Sequence, residues 1–491
     1  MRKSQFNAHR SILQDEDILP SPPGLAFSSA GRLLTRLPLI CFFLLETAEK
    51  VQTRSQIVIS QAANPQRRIT RMSVSNYEDK KNRFQTPSLW LNRDFMLLWS
   101  GQVISTLGTQ SSSVVYPLLI LALTNSPAAA GIAGALGSIP YLLLSLPAGA
   151  LIDRWDRKRV MILCDIGRGL AVASVAIAIL FKALTIWHVY LVALIDGSLF
   201  VLFNIAELVA LTRVVSREQL PQATGQNEAA FGVVSITAPT FGTFLYGILG
   251  RSVPFIFDAV SYTVSVISLF FIKAPFQTER VTVTRNLRAE IAEGLNWLWH
   301  QATIRHLAIL AGGINLATSS VPLITIVLAK EMGAGDAQIG LIFSIAGIGG
   351  ILGSLIGGQI QKRLTFGQAI ITVIWSLALL FTLYAIVPHF FLLGVVSALG
   401  FMLITVYNVV GISYRLALIP ENLQGRVNST FRLLAFGFRP LGMALSGLFL
   451  ERVGTTPTII LLSLWLLLFA FLTTSNPHIR NARPIEQLQV E

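Results

Sequence analysis

Charge is what this chain has least of. Asp, Glu, Lys and Arg together make up 13% of its 491 residues, against about a quarter in soluble domains. Cysteine is nearly absent as well: Cys41 and Cys164 are the two, too few and too far apart for a disulfide framework. The six histidines are scattered, and no Cys/His cluster has metal-ligand spacing. No GxxxxGK[ST], HExxH or GxSxG pattern occurs, which leaves nucleotide hydrolysis, zinc peptidase chemistry and serine hydrolysis without their usual groups. We therefore assign no catalytic residue, no metal ligand and no cofactor, and any work the protein does must draw on a gradient. Negative charge is scarcer than positive, 25 acidic against 38 basic residues, for a net +13.

What is abundant is apolar surface, 53% of the residues. From about residue 95 it is gathered into about twelve runs of the length that crosses a bilayer. They are too long and too uniform for barrel strands, so the fold class is an all-α polytopic membrane protein with twelve transmembrane helices. The even-numbered connections hold the basic residues: Arg154, Arg157, Lys158 and Arg159; Arg213 and Arg217; Arg280, Arg285 and Arg288; Lys362 and Arg363; and Arg426. That pattern puts these loops and both termini in the cytoplasm of a multi-pass cell (inner) membrane protein. The positive charge is then a topology signal and not a nucleic-acid footprint. The expected partners are the lipid bilayer and a small-molecule substrate, with the chain acting as a monomer.

The longest polar interruption, Lys273 to about His306, carries Ile291, Leu295, Leu298 and Trp299 at helical spacing, which reads as an amphipathic surface helix. Six runs precede it and six follow. Gly225, Phe231, Gly242 and Gly247 before it match Gly425, Phe431, Gly442 and Gly447 after it at one constant offset, as duplicated transporter halves do. The organisation is a polar, disordered extension over 1–88, a six-helix bundle over 89–273, a linker over 274–304, a second bundle over 305–475 and a cytoplasmic tail over 476–491. The extension contains LPSPPG, and Met72 opens a compact basic lead-in that is a candidate alternative start.

One stretch concentrates the scarce charges among apolar residues: AGALIDRWDRKRVMILCDIGRG, Ala148 to Gly169. Gly149, Asp153, Arg154, Arg157, Lys158 and Arg159 resemble the signature between helices two and three of the major facilitator superfamily, and NRDFMLLWSGQVISTLG looks most like its macrolide-efflux and enterobactin-exporter branch. The resemblance implies two pseudo-symmetric six-helix bundles and a gate in which Asp153 touches the start of helix eleven, near Gly425 to Val427, closing the cytoplasmic side. Asp165 and Arg168, at i and i+3 on one face, form a candidate second layer with Arg157 as a partner. In the second half Gln361 stands where Asp153 has its carboxylate.

Ionisable groups deep in a membrane are costly and are functional hypotheses by default. Asp196 and Arg439 are placed deepest, with Glu207, Glu228 and Asp258 nearer the faces. Asp196 is the candidate proton carrier, although a structural ion pair is an equal reading. Arg439, beside Pro440, either pairs with Glu207 or Asp196 or binds an anionic cargo group. Gln102, Thr109, Gln110 and Tyr116 on the first span, with Asn315, Tyr407 and Asn408, are the candidate cavity. The expected function is export of a small amphipathic molecule (drug, macrolide-like compound or siderophore) by proton-coupled antiport. A lysophospholipid or nutrient transporter of the same fold stays open, as does a transport-silent receptor or scaffold.

Overall fold

Hydrocarbon offers backbone amides no partner, so the apolar runs satisfy their hydrogen bonds as helices. The computed structural model describes residues 89–216, 218–276, 287–420 and 423–482, without the side chains of Leu146, Ala150, Asp153, Arg154 and residues 287–291. The extension with Met72, Arg217, Arg280, Arg285 and the last residues of the tail lie outside the described residues. So do the side chains of Arg288 and Ile291. The described part belongs to one compact unit, Thr86–Glu491.

The first half comprises α1 (Arg93–Thr124), α2 (Pro127–Arg154), α3 (Arg157–Leu180), α4 (Ile186–Val214), α5 (Leu220–Phe244) and α6 (Val253–Phe271). After the connecting helix α7 (Leu287–His300) come α8 (Ala302–Thr318), α9 (Val321–Glu331), α10 (Asp336–Arg363), α11 (Phe366–Leu383), α12 (Phe390–Leu418), α13 (Gln424–Gly437), α14 (Arg439–Arg452), α15 (Thr455–Ser475) and the short α16 (Pro477–Arg480). Twelve helices are long and apolar enough to cross a membrane, with α8–α9 and α13–α14 each counted as one. We call the side where α1 begins the basic end and the opposite side the distal end.

Local sequence sets the helix ends. Asn92, Ser126, Asp156 and Thr185 cap α1 to α4 by accepting from backbone amides three residues on. Asp156 thus serves α3, accepting from the Arg159 amide at 3.0 Å. The basic residues that follow it tie α3 to the end of α6. Lys158 Nζ donates to the carbonyls of Ile272 and Phe270 at 2.8 and 3.2 Å, and Arg157 Nη1 to that of Phe276 at 3.1 Å. Cations there satisfy orphan carbonyls and oppose the negative end of the α6 dipole.

Two spans are interrupted. Pro440 lacks the amide that would continue α13 into α14, and Ser319 and Ser320 separate α8 from α9. The breaks face each other: Ser319 Oγ donates to Arg439 O at 3.3 Å and Ser320 Oγ to Gly442 O at 3.1 Å, with Ser320 also bonded to Ser446. Hydroxyls thereby serve carbonyls where the spans are interrupted.

The two halves meet along two seams, α2 against α14 and α5 against α10. Toward the distal end the backbones nearly touch. A Cβ on Gly131 would stand 2.5 Å from the Met443 carbonyl oxygen, and one on Gly447 would stand 2.6 Å from that of Pro127. On the second seam Thr240 Oγ1 and Ser344 Oγ are 2.6 Å apart. The hydrogen bonds that join the halves between described residues lie between the distal end and the middle. Nothing approaches within 4 Å of a Cβ placed on Gly149, Gly225 or Gly425, at the basic ends of α2, α5 and α13.

The connecting helix packs differently from its apolar pattern. Leu298 is buried, but Leu295 and Trp299 are 41% and 54% exposed. The contact face runs through Gly294 instead, because α13 approaches so closely that a Cβ there would lie 2.7 Å from the Arg426 carbonyl oxygen. An ion pair from Arg426 Nη1 to Glu293 Oε2, 2.5 Å, flanks that contact.

Candidate functional site

A cavity of about 660 Å³ lies where the open part of the seams meets the first bundle. Four helices of the first half and one residue of the second line it. α1 gives Gln102, Ser105, Thr109 and Gln110; α3 gives Arg168; α4 gives Asn204 and Glu207 with Phe200 and Phe203. α5 adds Asn227, Glu228 and Phe231, and α14 adds Arg439. Aromatic area with a few directed polar groups is the usual composition of a site for amphipathic ligands. Arg439 also borders a smaller cavity of about 200 Å³ with Asn315 and Tyr384. Its guanidinium makes no hydrogen bond or ion pair among the described residues, and its exposed surface faces these spaces.

Beside the main cavity is a charged cluster inside the first bundle. Arg168, 4% exposed, lies about 17 Å along α3 from its basic end. Its Nε donates to Asp196 Oδ1 at 2.9 Å, and its guanidinium carbon sits 4.6 Å from the Tyr262 ring centre and 5.3 Å from that of Phe200. Tyr262 Oη is 2.8 Å from Thr109 Oγ1, which reaches Asp258 Oδ1 at 3.5 Å, and Ser112 Oγ donates to Asp258 Oδ2 at 2.5 Å. One contact chain therefore runs Asp196, Arg168, Tyr262, Thr109, Asp258. Asp165, 0% exposed, accepts from Ser265 Oγ at 2.6 Å on one oxygen, and its other oxygen has no partner among the described residues.

The cluster thus holds three buried or half-buried carboxyls against one cation. Asp196 has the cation; Asp165 and Asp258 have hydroxyls and no ion pair among the described residues. The physical reason is steric. Arg168 is pinned between two aromatic rings, and its Nε faces α4. Several sequence expectations are rearranged by this. Asp165 bonds to Ser265 on α6 and not to Arg157. Arg439 pairs with neither Asp196 nor Glu207, since Asp196 is taken by Arg168.

Of the other residues singled out, Tyr116 packs edge-on against Phe255, ring centres 4.9 Å apart, outside the cavity lining. Tyr407 is buried in the second bundle and Asn408 is exposed; neither lines these two cavities. Ser112 belongs to the polar set expected on the first span, but its bond to Asp258 was not anticipated, nor was Ser265 beside Asp165. A serine one helix away from an acid carries no sequence signal until the helices are paired. Phe200, Phe203 and Phe231 were missed because an aromatic in an apolar helix looks the same facing lipid or facing a cavity.

A twelve-span bundle of two halves with a cavity lined by residues of both describes a membrane transporter, and the comparisons agree. The family model described as Major Facilitator Superfamily matches residues 98–438. The chain belongs to that superfamily and is a multi-pass membrane transporter. It is similar to the multidrug efflux pump Tap of Mycolicibacterium fortuitum, 26% identical over 406 residues, covering 78% of this chain and 96% of that protein. It is also similar to macrolide efflux protein A of Streptococcus pyogenes, 25% identical over 371 residues, covering 73% and 90%. A crystal structure of a variant of the nucleoside transporter NupG shares the fold at 15% identity and a TM-score of 0.66, covering 78% of this chain and 99% of that one.

Proposed function

We propose that this protein is a secondary exporter of small amphipathic drugs or macrolide-like compounds, working by alternating access and proton-coupled antiport. It would sit in the inner membrane, with the basic end and both termini in the cytoplasm. The observation that carries the reading is the cavity lined from both halves, beneath seams packed shut on the distal side. The similarity to Tap and to macrolide efflux protein A favours export and the cargo class. The basic loops favour the orientation.

Proton coupling rests on the charge count in the cluster. Ionising all three carboxyls would leave two negative charges unbalanced in a low-dielectric interior, each at a cost of several kcal/mol. The cluster therefore holds protons, and Asp258 is our candidate for the exchanging group. It accepts directly from the hydroxyl of the cavity-lining Thr109, whereas Asp196 is engaged by Arg168. The test is efflux of a macrolide from proteoliposomes with and without an imposed pH gradient. Gradient-dependent efflux is expected, and transport indifferent to the gradient would remove the coupling.

Arg439 is the one cation of the second half facing the main cavity among the described residues. Arg439→Gln is expected to weaken binding of cargo carrying an anionic group by about 10- to 100-fold, the range of a hydrogen bond to a charged group, and to leave neutral cargo nearly unaffected. Equilibrium binding of paired charged and neutral analogues measures this. In the opposite state we assign Asp153 to the start of α13 near Gly425, where a carboxylate meets the positive end of the helix dipole. Asp153→Asn is expected to slow efflux several-fold with normal membrane levels, and unchanged efflux would remove that role.

A further inference from the structure

The distal side of the α2–α14 seam carries an acid that reaches across to the opposite half. Glu451 stands one residue from the C-terminus of α14. Its carboxylate Oε2 accepts the backbone amide of Ala128 at 3.1 Å and bonds to the hydroxyl of Ser126. Ser126 is the N-cap of α2, and Ala128 lies in its first turn. A carboxylate from the end of one helix therefore sits on the unpaired amides and positive dipole end of a helix in the opposite half. The Asp153 assignment has the same form with the helices exchanged: an acid at the basic end of α2 over the start of α13.

The second seam lacks both acids. The offset of 200 residues that matches Gly247 to Gly447 places Arg251 opposite Glu451, and Arg251 has no hydrogen bond or ion pair among the described residues. The start of α10 is served from within its own half, by Gln338 on the Gly335 amide at 2.8 Å and by Lys330 on Asp336 at 2.6 Å. Gln361 stands where Asp153 has its carboxylate. The α5–α10 seam is held instead by hydroxyls and close backbone packing.

We infer that Glu451 is the distal latch of the transport cycle. It stabilises the state open at the basic end, it works on the same two spans as Asp153, α2 and the interrupted α13–α14, and the two latches are mutually exclusive. The α2–α14 seam is then the switch, and the α5–α10 seam is the pivot. The inference rests on the alternating-access reading and deepens it. A carboxylate on a helix start contributes through charge and through hydrogen bonding, so the two contributions separate by substitution. Glu451→Gln keeps an acceptor for Ala128 and Ser126 and loses the charge; Glu451→Ala loses both.

The experiment measures populations without cargo or gradient. Spin labels at Ala183 and Ala337 report the distal separation and labels at Arg213 and Lys362 the basic one, in full-length protein in lipid nanodiscs. Glu451→Gln is expected to move the equilibrium toward the distal-open state by about 3-fold and Glu451→Ala by about 10-fold, the range of dipole and capping effects. Asp153→Asn is expected to move it the other way, and the Asp153→Asn, Glu451→Gln double variant back toward wild type. Wild type populating both states with a ratio unmoved by Glu451→Ala would overturn the latch alone. Wild type showing a single state at all pH values and in the presence of macrolide would overturn alternating access and the latch with it.

Discussion

Asp258→Asn is expected to abolish the dependence of efflux on a pH gradient while leaving cargo binding and cargo–cargo exchange in place. The asparagine carbonyl can still accept from Ser112, and its amide can donate to Thr109, so the local packing survives. What disappears is the ability to gain and lose a proton. Coupling between two ligands of one protein is on the order of 5- to 150-fold in affinity, so gradient-driven efflux is expected to fall by about that factor. Counterflow in proteoliposomes, measured beside net efflux, separates the two activities. Wild-type gradient dependence in Asp258→Asn would move the proton to Asp165, the other carboxyl without a cation.

The second large effect is steric. Gly447→Val is expected to prevent closure of the distal seam, since its Cβ would be driven into the Pro127 carbonyl and the Gly131 backbone, neither of which is a flexible side chain. Overpacking of this kind costs about 1–3 kcal/mol, enough to move a balanced two-state equilibrium by roughly 5- to 150-fold. The same spin-label pairs should report the distal-open state, with efflux lost. The fold should survive because the clash lies between halves, which can separate. Gly349→Val is the contrast. Its Cβ would press on the Ala398 backbone, with Cα 2.7 Å away, and α10 and α12 belong to the same half. That variant is expected to lower the thermal unfolding midpoint. A Gly447→Val protein that unfolds in the same way would remove the seam interpretation.

The residues that announce the fold are those whose physics is local or periodic. Apolar runs, basic loops and the Gly225/Gly425 register required no partner to be read, and they led to the twelve spans of a transporter. The site was legible only as an inventory. Gln102, Thr109, Gln110, Glu207, Glu228 and Arg439 were named from depth and polarity, and they do share one cavity. Which acid takes Arg168 could not be read, because Asp165 shares its helix face while Asp196 comes from a neighbour whose rotation the sequence leaves free. Glu451 went unnoticed for a related reason. Beside Arg452 at a helix end it resembles ordinary interfacial charge, and only the crossing of α14 over α2 brings it to Ser126.

The cavity's charges are divided unequally between its two walls. Glu207, Glu228 and their amide neighbours belong to one rigid half, and Arg439 belongs to the other, at the break between α13 and α14. In the alternating-access cycle proposed above, the distance between these groups would change as the halves rock, while each wall keeps its shape. A dipolar cargo engaging both walls is a strut between two moving bodies, and its length decides at which point of the stroke it fits. On that reading selectivity would be set by span as well as by pocket chemistry, and chemically unlike molecules of similar length would share one carrier.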